Sequence, residues 1–330
     1  MYNKFSEFLK DKNHLCIIQA ENPDGDSLGS ALGLYEILTD KDITLYCPVN
    51  IPKYLRYFPN WGNITDEFDF DADGYIVVDT ASSILLSKLL EDPAINNALN
   101  EKPVFVIDHH ETPDDLDFPH ELITDPKPSC TNVIYNILID QHIPINPAGA
   151  SNLLAGLSSD TLGLTTPSVT ADTFHIAEEL TKLGANIAKI EEARREFMKK
   201  SQRILDYKGD LIKRIEYHLD GQLATVHITW DDIAEYSDEY NPGVLIIDEM
   251  RMVEGVKVAI AIKTYPDGKA TGKVRTSAPF ADQLAGFFGG GGHPYASGFR
   301  TYDATYESVV HDLLPVVDKL LKENENAETV

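Results

Sequence analysis

The stretch LCIIQAENPDGDSLGSALGLYEILTD (15–40) decides how the rest of the chain is read. An apolar, β-rich run, LCIIQ, meets a Pro/Gly turn and gives way to a helix-like run, SLGSALGLYEILTD (27–40). The same alternation recurs. ITLYC (43–47), YIVVD (75–79) and VFVID (104–108) are short apolar runs, with helix-like segments such as ASSILLSKLLED (81–92) and SCTNVIYNILIDQ (129–141) among them. Strands alternating with helices predict an α/β fold with a doubly wound, mainly parallel sheet. Burial on both faces explains why these strands are apolar throughout and do not alternate.

Further on, NIAKIEEARREFMKKSQRILDYKGDLIKRI carries apolar residues at helical spacing and no proline. It predicts a connecting helix and the organisation 1–187 N-terminal domain, 188–210 linker helix, 211–330 smaller α/β domain with a mixed sheet. Strands are expected at 222–230, 243–253, 256–266 and 269–277, with PDG (266–268) as a hairpin turn and a last amphipathic helix at about 305–322.

The 330 residues suffice for two ordinary domains, and 43% hydrophobic with 25% charged residues are globular values. Fifty-three acidic against 28 basic residues give a net charge of −25. Such a surface repels long nucleic acid but leaves room for a small phosphate-bearing ligand in a local pocket. No apolar run approaches the ~20 residues that span a bilayer. The start, MYNKFSEFLKDKNHL, lacks the apolar core of a signal peptide, so the expected location is cytoplasmic. Cys16, Cys47 and Cys130 are too few and too scattered for a disulfide framework or a zinc site.

The chemistry gathers at strand ends. Asp24 and Asp26 follow the first strand, Asp79 ends YIVVD, Asp108, His109 and His110 end VFVIDHH, and Asp160 lies in LAGLSSDTLGL. Taken singly, an Asp after a strand is most often a helix cap or turn residue. In an open parallel sheet, however, ligands sit outside the carboxyl ends of the strands. Three strands delivering Asp or His to that edge therefore predict one site. Its donors are oxygen and imidazole without thiolate, which suits Mn²⁺ or Mg²⁺ and not structural zinc. Asp24 and Asp26, two apart, can serve different metals of a two-metal centre for phosphoryl transfer.

With these residues in place, the chain resembles the DHH phosphoesterase superfamily. NPDGDSLGS, VVDTAS, IDHH and LSSDTLG resemble its four motifs, and VRTS…GGGGHPYASG resembles the DHH-associated C-terminal domain. The branch it resembles comprises two-domain enzymes that degrade nano-RNA and dephosphorylate 3′-phosphoadenosine 5′-phosphate (pAp); some relatives cleave linear products of cyclic di-AMP. The resemblance implies a Mn²⁺-dependent phosphodiesterase or phosphatase acting on short oligoribonucleotides or small nucleotides. Asp24 would hold one metal and Asp26 the other, Asp79 would bridge, and His109 and Asp160 would complete the second site. Asp108 would orient a histidine, and His110 would contact the scissile phosphate or assist the leaving group. Arg275, Ser277, Gly290, Gly291, Gly292 and His293 would bind substrate, with the C-terminal domain closing over the metals. The expected form is a monomer or homodimer.

One position departs from the pattern. The family usually places a histidine two residues before the Asn of the first motif, and here that position is Ala20. Three readings stay open: Glu21 or Gln19 substitutes, the first metal site is weak and fills with substrate, or the protein binds nucleotide without turnover. An inorganic polyphosphate or pyrophosphate substrate is the further alternative within the enzyme class.

Overall fold

The computed structural model describes residues 2–328, with side chains described except at His293 and at 326–328. Contacts divide the chain into one compact unit up to Lys199 and a second from Lys200 onward.

The first unit is an α/β layer structure. Its strands are β1 (His14–Ile18), β2 (Asp42–Tyr46), β3 (Ile64–Thr65), β4 (Gly74–Val78), β5 (Val104–Asp108) and β6 (Glu121–Thr124). Its helices are α1 (Asn3–Leu9), α2 (Gly25–Ile37), α3 (Ser87–Leu90), α4 (Pro93–Glu101), α5 (Cys130–Asp140), α6 (Pro147–Asp160), α7 (Ala171–Lys182) and α8 (Ile187–Phe197). The strand order is β3-β2-β1-β4-β5-β6, and every pairing is parallel. Alternate strand residues divide between two cores. Leu15, Ile17, Ile76 and Ile107 pack with α1, α2 and α5; Cys16, Ile18, Val77 and Val106 pack with α3 and α4. Chain order reverses between β1 and β4, the topological switch point where the loops leaving neighbouring strands part and open a crevice.

Helix α2 lies against α6 along a seam of small residues. A Cβ on Gly29 would sit 2.7 Å from the Gly156 Cα and 2.8 Å from the Asn152 carbonyl oxygen; one on Gly25 would sit 2.1 Å from Ser159 Oγ. Only glycine allows the start of α2 to approach the end of α6 this closely, which brings Asp26 and Asp160 into one neighbourhood.

The second unit holds α9 (Gln202–Lys213), β7 (Glu216–His218), β8 (Leu223–Ile228), α10 (Trp230–Tyr236), α11 (Pro242–Arg251), β9 (Val258–Thr264), β10 (Ala270–Thr276), α12 (Ala281–Phe287), β11 (Gly291–His293), β12 (Ala296–Thr301) and α13 (Tyr306–Glu328). Its six-stranded sheet, β11-β12-β10-β9-β8-β7, is mixed: β8 and β9 are parallel and the other pairs antiparallel. Helices α9 and α11 cover one face, α12 and α13 the other.

Two expectations need correcting. The run at 243–253 is not a strand but lies largely within α11. Asn241 caps it by accepting from the Gly243 N–H at 3.0 Å, Pro242 opens it, and Leu245, Ile246, Ile247 and Met250 form its buried side. The connecting stretch at 188–210 is not one helix: α8 ends at Phe197 and α9 begins at Gln202, capped by Ser201.

Candidate metal centre

Asp24 is the N-cap of α2. Its Oδ1 accepts from the Asp26 and Ser27 N–H groups, both at 2.9 Å, and the Ser27 hydroxyl oxygen accepts in return from the Asp24 N–H at 3.0 Å. Asp26 therefore sits in the first turn of the helix, not on a loop. It is fully buried, yet its carboxylate is well supplied: Oδ2 accepts from the Cys130 N–H at 2.5 Å, and Oδ1 accepts from the Thr131 N–H at 3.0 Å and hydroxyl at 2.8 Å. The two N–H donors are first-turn groups of α5, whose positive end favours an anion, and the third donor is a first-turn hydroxyl.

Asp79 follows β4 in a left-handed conformation, φ 65°, rarely adopted outside glycine. Its N–H is tied to the Ile107 carbonyl at 2.8 Å, and its buried Oδ1 has no hydrogen-bond partner. A strained backbone presenting an unsatisfied carboxylate oxygen at a switch point is the mark of a functional position.

His109 and His110 are fixed differently. His109 Nδ1 lies 2.9 Å from the Lys127 carbonyl oxygen. A carbonyl can only accept, so Nδ1 carries the proton and Nε2 has a lone pair to offer a metal. That nitrogen lies 3.4 Å from Asp79 Oδ1, 3.6 Å from Asp160 Oδ2 and 3.8 Å from Asp26 Oδ2. His110 donates from Nδ1 to Asp108 Oδ1 at 2.7 Å, and the same oxygen accepts the His109 N–H at 2.8 Å.

Two ligand groups result, Asp26/His109/Asp160 and Asp79/His109/His110. The electrostatics fit a cation. Burial first, then Asp26, Asp24, Asp160 and Asp108, pushes the Asp79 carboxyl well up. Burial and the neighbouring Asp26 and Asp24 charges push Asp160 up to about 7. Burial, reinforced by Asp24, raises Asp26. Burial alone would lower His109, but Asp26, the Lys127 carbonyl, Asp160 and Asp108 outweigh it and raise it. Asp108 runs the other way: its bonds to His110 and to the two backbone N–H groups overcome burial and hold it low. Crowded carboxylates that resist ionising together, an orphaned carboxylate oxygen and an imidazole in the ligating tautomer suit a divalent metal.

The remaining sequence-predicted residues lie in the second unit. Arg275 and the glycines 291–292 share its sheet: β11 pairs with β12, and β12 with β10. The glycine run is not an open loop. The Gly290 N–H bonds the Ala285 carbonyl at 2.9 Å after α12, and Gly291–His293 form a strand. The Ser277 N–H and hydroxyl both reach the Lys257 carbonyl. The His293 side chain falls outside what is described. Sequence reasoning had no signal for the Lys127 carbonyl or the Cys130 N–H, which are backbone groups. Thr131 was legible only as part of PSCTN (128–132), close after the third motif.

Glu21 is committed elsewhere. Its carboxylate accepts from Ser87 Oγ at 3.1 Å and from the Lys88 N–H at 2.9 Å. Gln19 is fully buried, with neither amide atom hydrogen-bonded.

Residues 14–157 match the DHH family, N-terminal domain. The first unit therefore carries a domain that matches the DHH family. That family is metal-dependent, in keeping with the ligand groups above. The chain is 27% identical over 295 residues to the bifunctional oligoribonuclease and PAP phosphatase NrnA of Thermus thermophilus, covering 88% of this chain and 86% of that one. It is 25% identical to the probable NrnA of Streptococcus mutans, covering 92% and 95%. A crystal structure of an exopolyphosphatase-related protein from Bacteroides fragilis matches with a TM-score of 0.85, 23% identity and 97% coverage of both chains, which shows the shared fold. Among the described residues no helix is long and apolar enough to cross a membrane.

Proposed function

We propose that this DHH-family hydrolase is a Mn²⁺-dependent phosphodiesterase and phosphatase acting on short oligoribonucleotides and on pAp. The observation that carries the reading is the pair of ligand groups sharing His109 at the switch point, beside a histidine oriented by a carboxylate. The names of the relatives from Thermus and Streptococcus support the substrate class. When bound, divalent metal supplies the Lewis acidity and charge neutralisation that phosphoryl transfer requires.

The chain's own residues do the rest. Asp26, Asp79, His109 and Asp160 would hold metal, with Asp26 fixed by α5 and His109 by the Lys127 carbonyl. Asp24 adds negative charge beside them while its Oδ1 anchors the start of α2. Asp108 accepts from His110 Nδ1–H and aims Nε2; with a second proton on Nε2, His110 would hydrogen-bond a phosphate oxygen through that N–H or pass that proton to the departing oxygen. Arg275, whose planar guanidinium matches a phosphate, would bind the nucleotide with the glycine strand.

The test is Mn²⁺-dependent release of mononucleotide from a ribodinucleotide, compared with pAp and pyrophosphate. The wild-type protein should turn over the dinucleotide and pAp, and Asp79→Ala with Asp108→Ala should abolish both. Unchanged turnover in that double variant, or hydrolysis of pyrophosphate alone, overturns the reading. Ala20 favours one second reading, a weakened first metal site. It leaves the substrate class unchanged and predicts that Ala20→His raises the rate.

A further inference from the structure

The first unit holds a cavity of about 510 Å³ beside the metal centre, within the ~300–1,000 Å³ of pockets that take small organic molecules. Its walls come from the loop between β2 and β3, from the end of α6 with the turn after it, and from α8. Ser159, in one wall, immediately precedes Asp160, and a Cβ on Gly25 would sit 2.1 Å from Ser159 Oγ. The cavity thus abuts the start of α2 and the end of α6, which carry Asp26 and Asp160. The turn after α6 is strained: Leu162, Gly163 and Leu164 are all left-handed, at φ 49°, 75° and 66°. It is pinned by the Gly163 N–H to the Ser158 carbonyl at 2.7 Å and by the Leu164 N–H to Thr161 Oγ1 at 3.0 Å. Leu162 lines the cavity and is 73% exposed. Packing does not account for an exposed leucine held in a costly conformation two residues after Asp160.

The lining has a distinct chemistry. Ala155, Leu162, Ile187 and Ile190 supply aliphatic surface. Tyr57, Ser158 and Ser159 supply three hydroxyls, none with a hydrogen-bond partner among the described residues. Burial pushes the Tyr57 phenol up to about 12, so it stays a donor at neutral pH. The charges on the wall are already matched, since Glu191 accepts from Arg194 Nε at 2.6 Å and from Nη2 at 2.8 Å. A phosphate would therefore gain little inside this cavity. Aliphatic walls with unpaired hydroxyls and no spare charge suit a neutral heterocycle with polar edges.

We infer that this cavity seats the base of the nucleotide whose phosphate meets the metal ligands, with Tyr57, Ser158, Ser159 and Leu162 determining specificity within the first unit. A ligand without the base leaves the three hydroxyls unpaired and the aliphatic walls uncovered, and that difference is the source of discrimination. The inference rests on the nucleotide reading above, but its test does not need turnover.

The full-length protein with Mn²⁺ is titrated calorimetrically with adenosine 5′-monophosphate and with ribose 5-phosphate, which lacks only the base. The wild type should prefer the nucleotide at least tenfold. Tyr57→Phe, which removes one hydroxyl and keeps the ring, should cut that preference severalfold, and Ser158→Leu, which fills the cavity, should abolish it. A purely structural defect would weaken both ligands alike and leave their ratio unchanged. Thermal melting confirms that the variants fold. Equal wild-type affinity for the two ligands, or a ratio unchanged in both variants, overturns the inference. Absence of dinucleotide hydrolysis with the preference intact would instead refute only the proposed function.

Discussion

Removing one negative charge from the centre is expected to stabilise the metal-free protein. Asp160 ionises at about 7 in the folded chain, against an ordinary value of 3.8. The folded state thus keeps a proton that the unfolded chain has lost. Its contribution to stability is fully present below pH 3.8 and disappears as pH rises through about 7. A displacement of about 3 pH units corresponds to ~4 kcal/mol. The Asp160 side chain is 31% exposed, so solvent screening reduces this to about 2 kcal/mol. Asp26 and Asp79 are displaced in the same direction, and the raised His109 also loses its contribution as pH rises, so these three groups share the sign of Asp160, while the lowered Asp108 opposes them. In chelator, the wild type should therefore lose stability between pH 5 and 8. Asp160→Asn should be more stable than wild type at pH 8 by about 2 kcal/mol, roughly 4–8 °C in Tm for a unit of this size, and should lose that advantage near pH 4.5. Saturating Mn²⁺ should reverse the order, because ligands bind metal deprotonated. The assay is thermal and urea denaturation of both proteins over this pH range, with chelator and with Mn²⁺. An Asp160→Asn protein less stable than wild type at pH 8 in chelator would refute the reasoning, as would chelated wild type that gains stability from pH 5 to 8.

Three further outcomes follow from the same geometry. Asp108→Asn keeps the shape but removes the charge that orients His110; kcat on a ribodinucleotide should fall about 10–100-fold while a Mn²⁺ titration stays within twofold of wild type, and an unchanged kcat would count against a role for His110. Gly29→Ala places a methyl group against the Gly156 Cα and the Asn152 carbonyl, neither of which can turn aside, so it should cost about 1–3 kcal/mol and weaken Mn²⁺ binding by parting Asp26 from Asp160. Gly33→Ala meets mainly the Leu153 side chain, at 2.8 Å from its Cδ2, and should cost less by the same melting assay.

Much of the first unit was legible because its signals are local. Uniformly apolar runs of five residues mark buried parallel strands, and Asp79, Asp108, His109 and His110 at the ends of two of them mark one edge of the sheet. The failures are equally physical. VLII at 244–247 reads as a strand by composition, but Asn-Pro before it supplies a cap and a first helical residue, and capping decided the outcome. The seam that brings Asp26 to Asp160 joins glycines more than a hundred residues apart, and no local pattern announces a close approach between distant helices. Asp24 was legible both as a carboxylate beside the centre and as a helix cap; the structure has Oδ1 capping α2, and the cap does not use Oδ2.

This last point bears on Ala20. Of the neighbours that could replace a ligand there, Glu21 holds the start of α3, and Asp24 has Oδ1 engaged by two N–H groups. On the other side, Asp26 is fixed by three donors from α5, His109 is locked in its ligating tautomer, and Asp160 is brought in by the glycine seam. The buried hydrogen bonds are thus concentrated on one side of the centre. A preorganised ligand set loses little entropy on binding, whereas a set lacking side chains must borrow oxygens from water or substrate. If metal binding follows this asymmetry, the Asp26 side fills first and the Asp24 side fills together with the phosphate. The missing histidine would then make catalysis depend on substrate to complete the site, and hydrolysis would persist at a reduced rate.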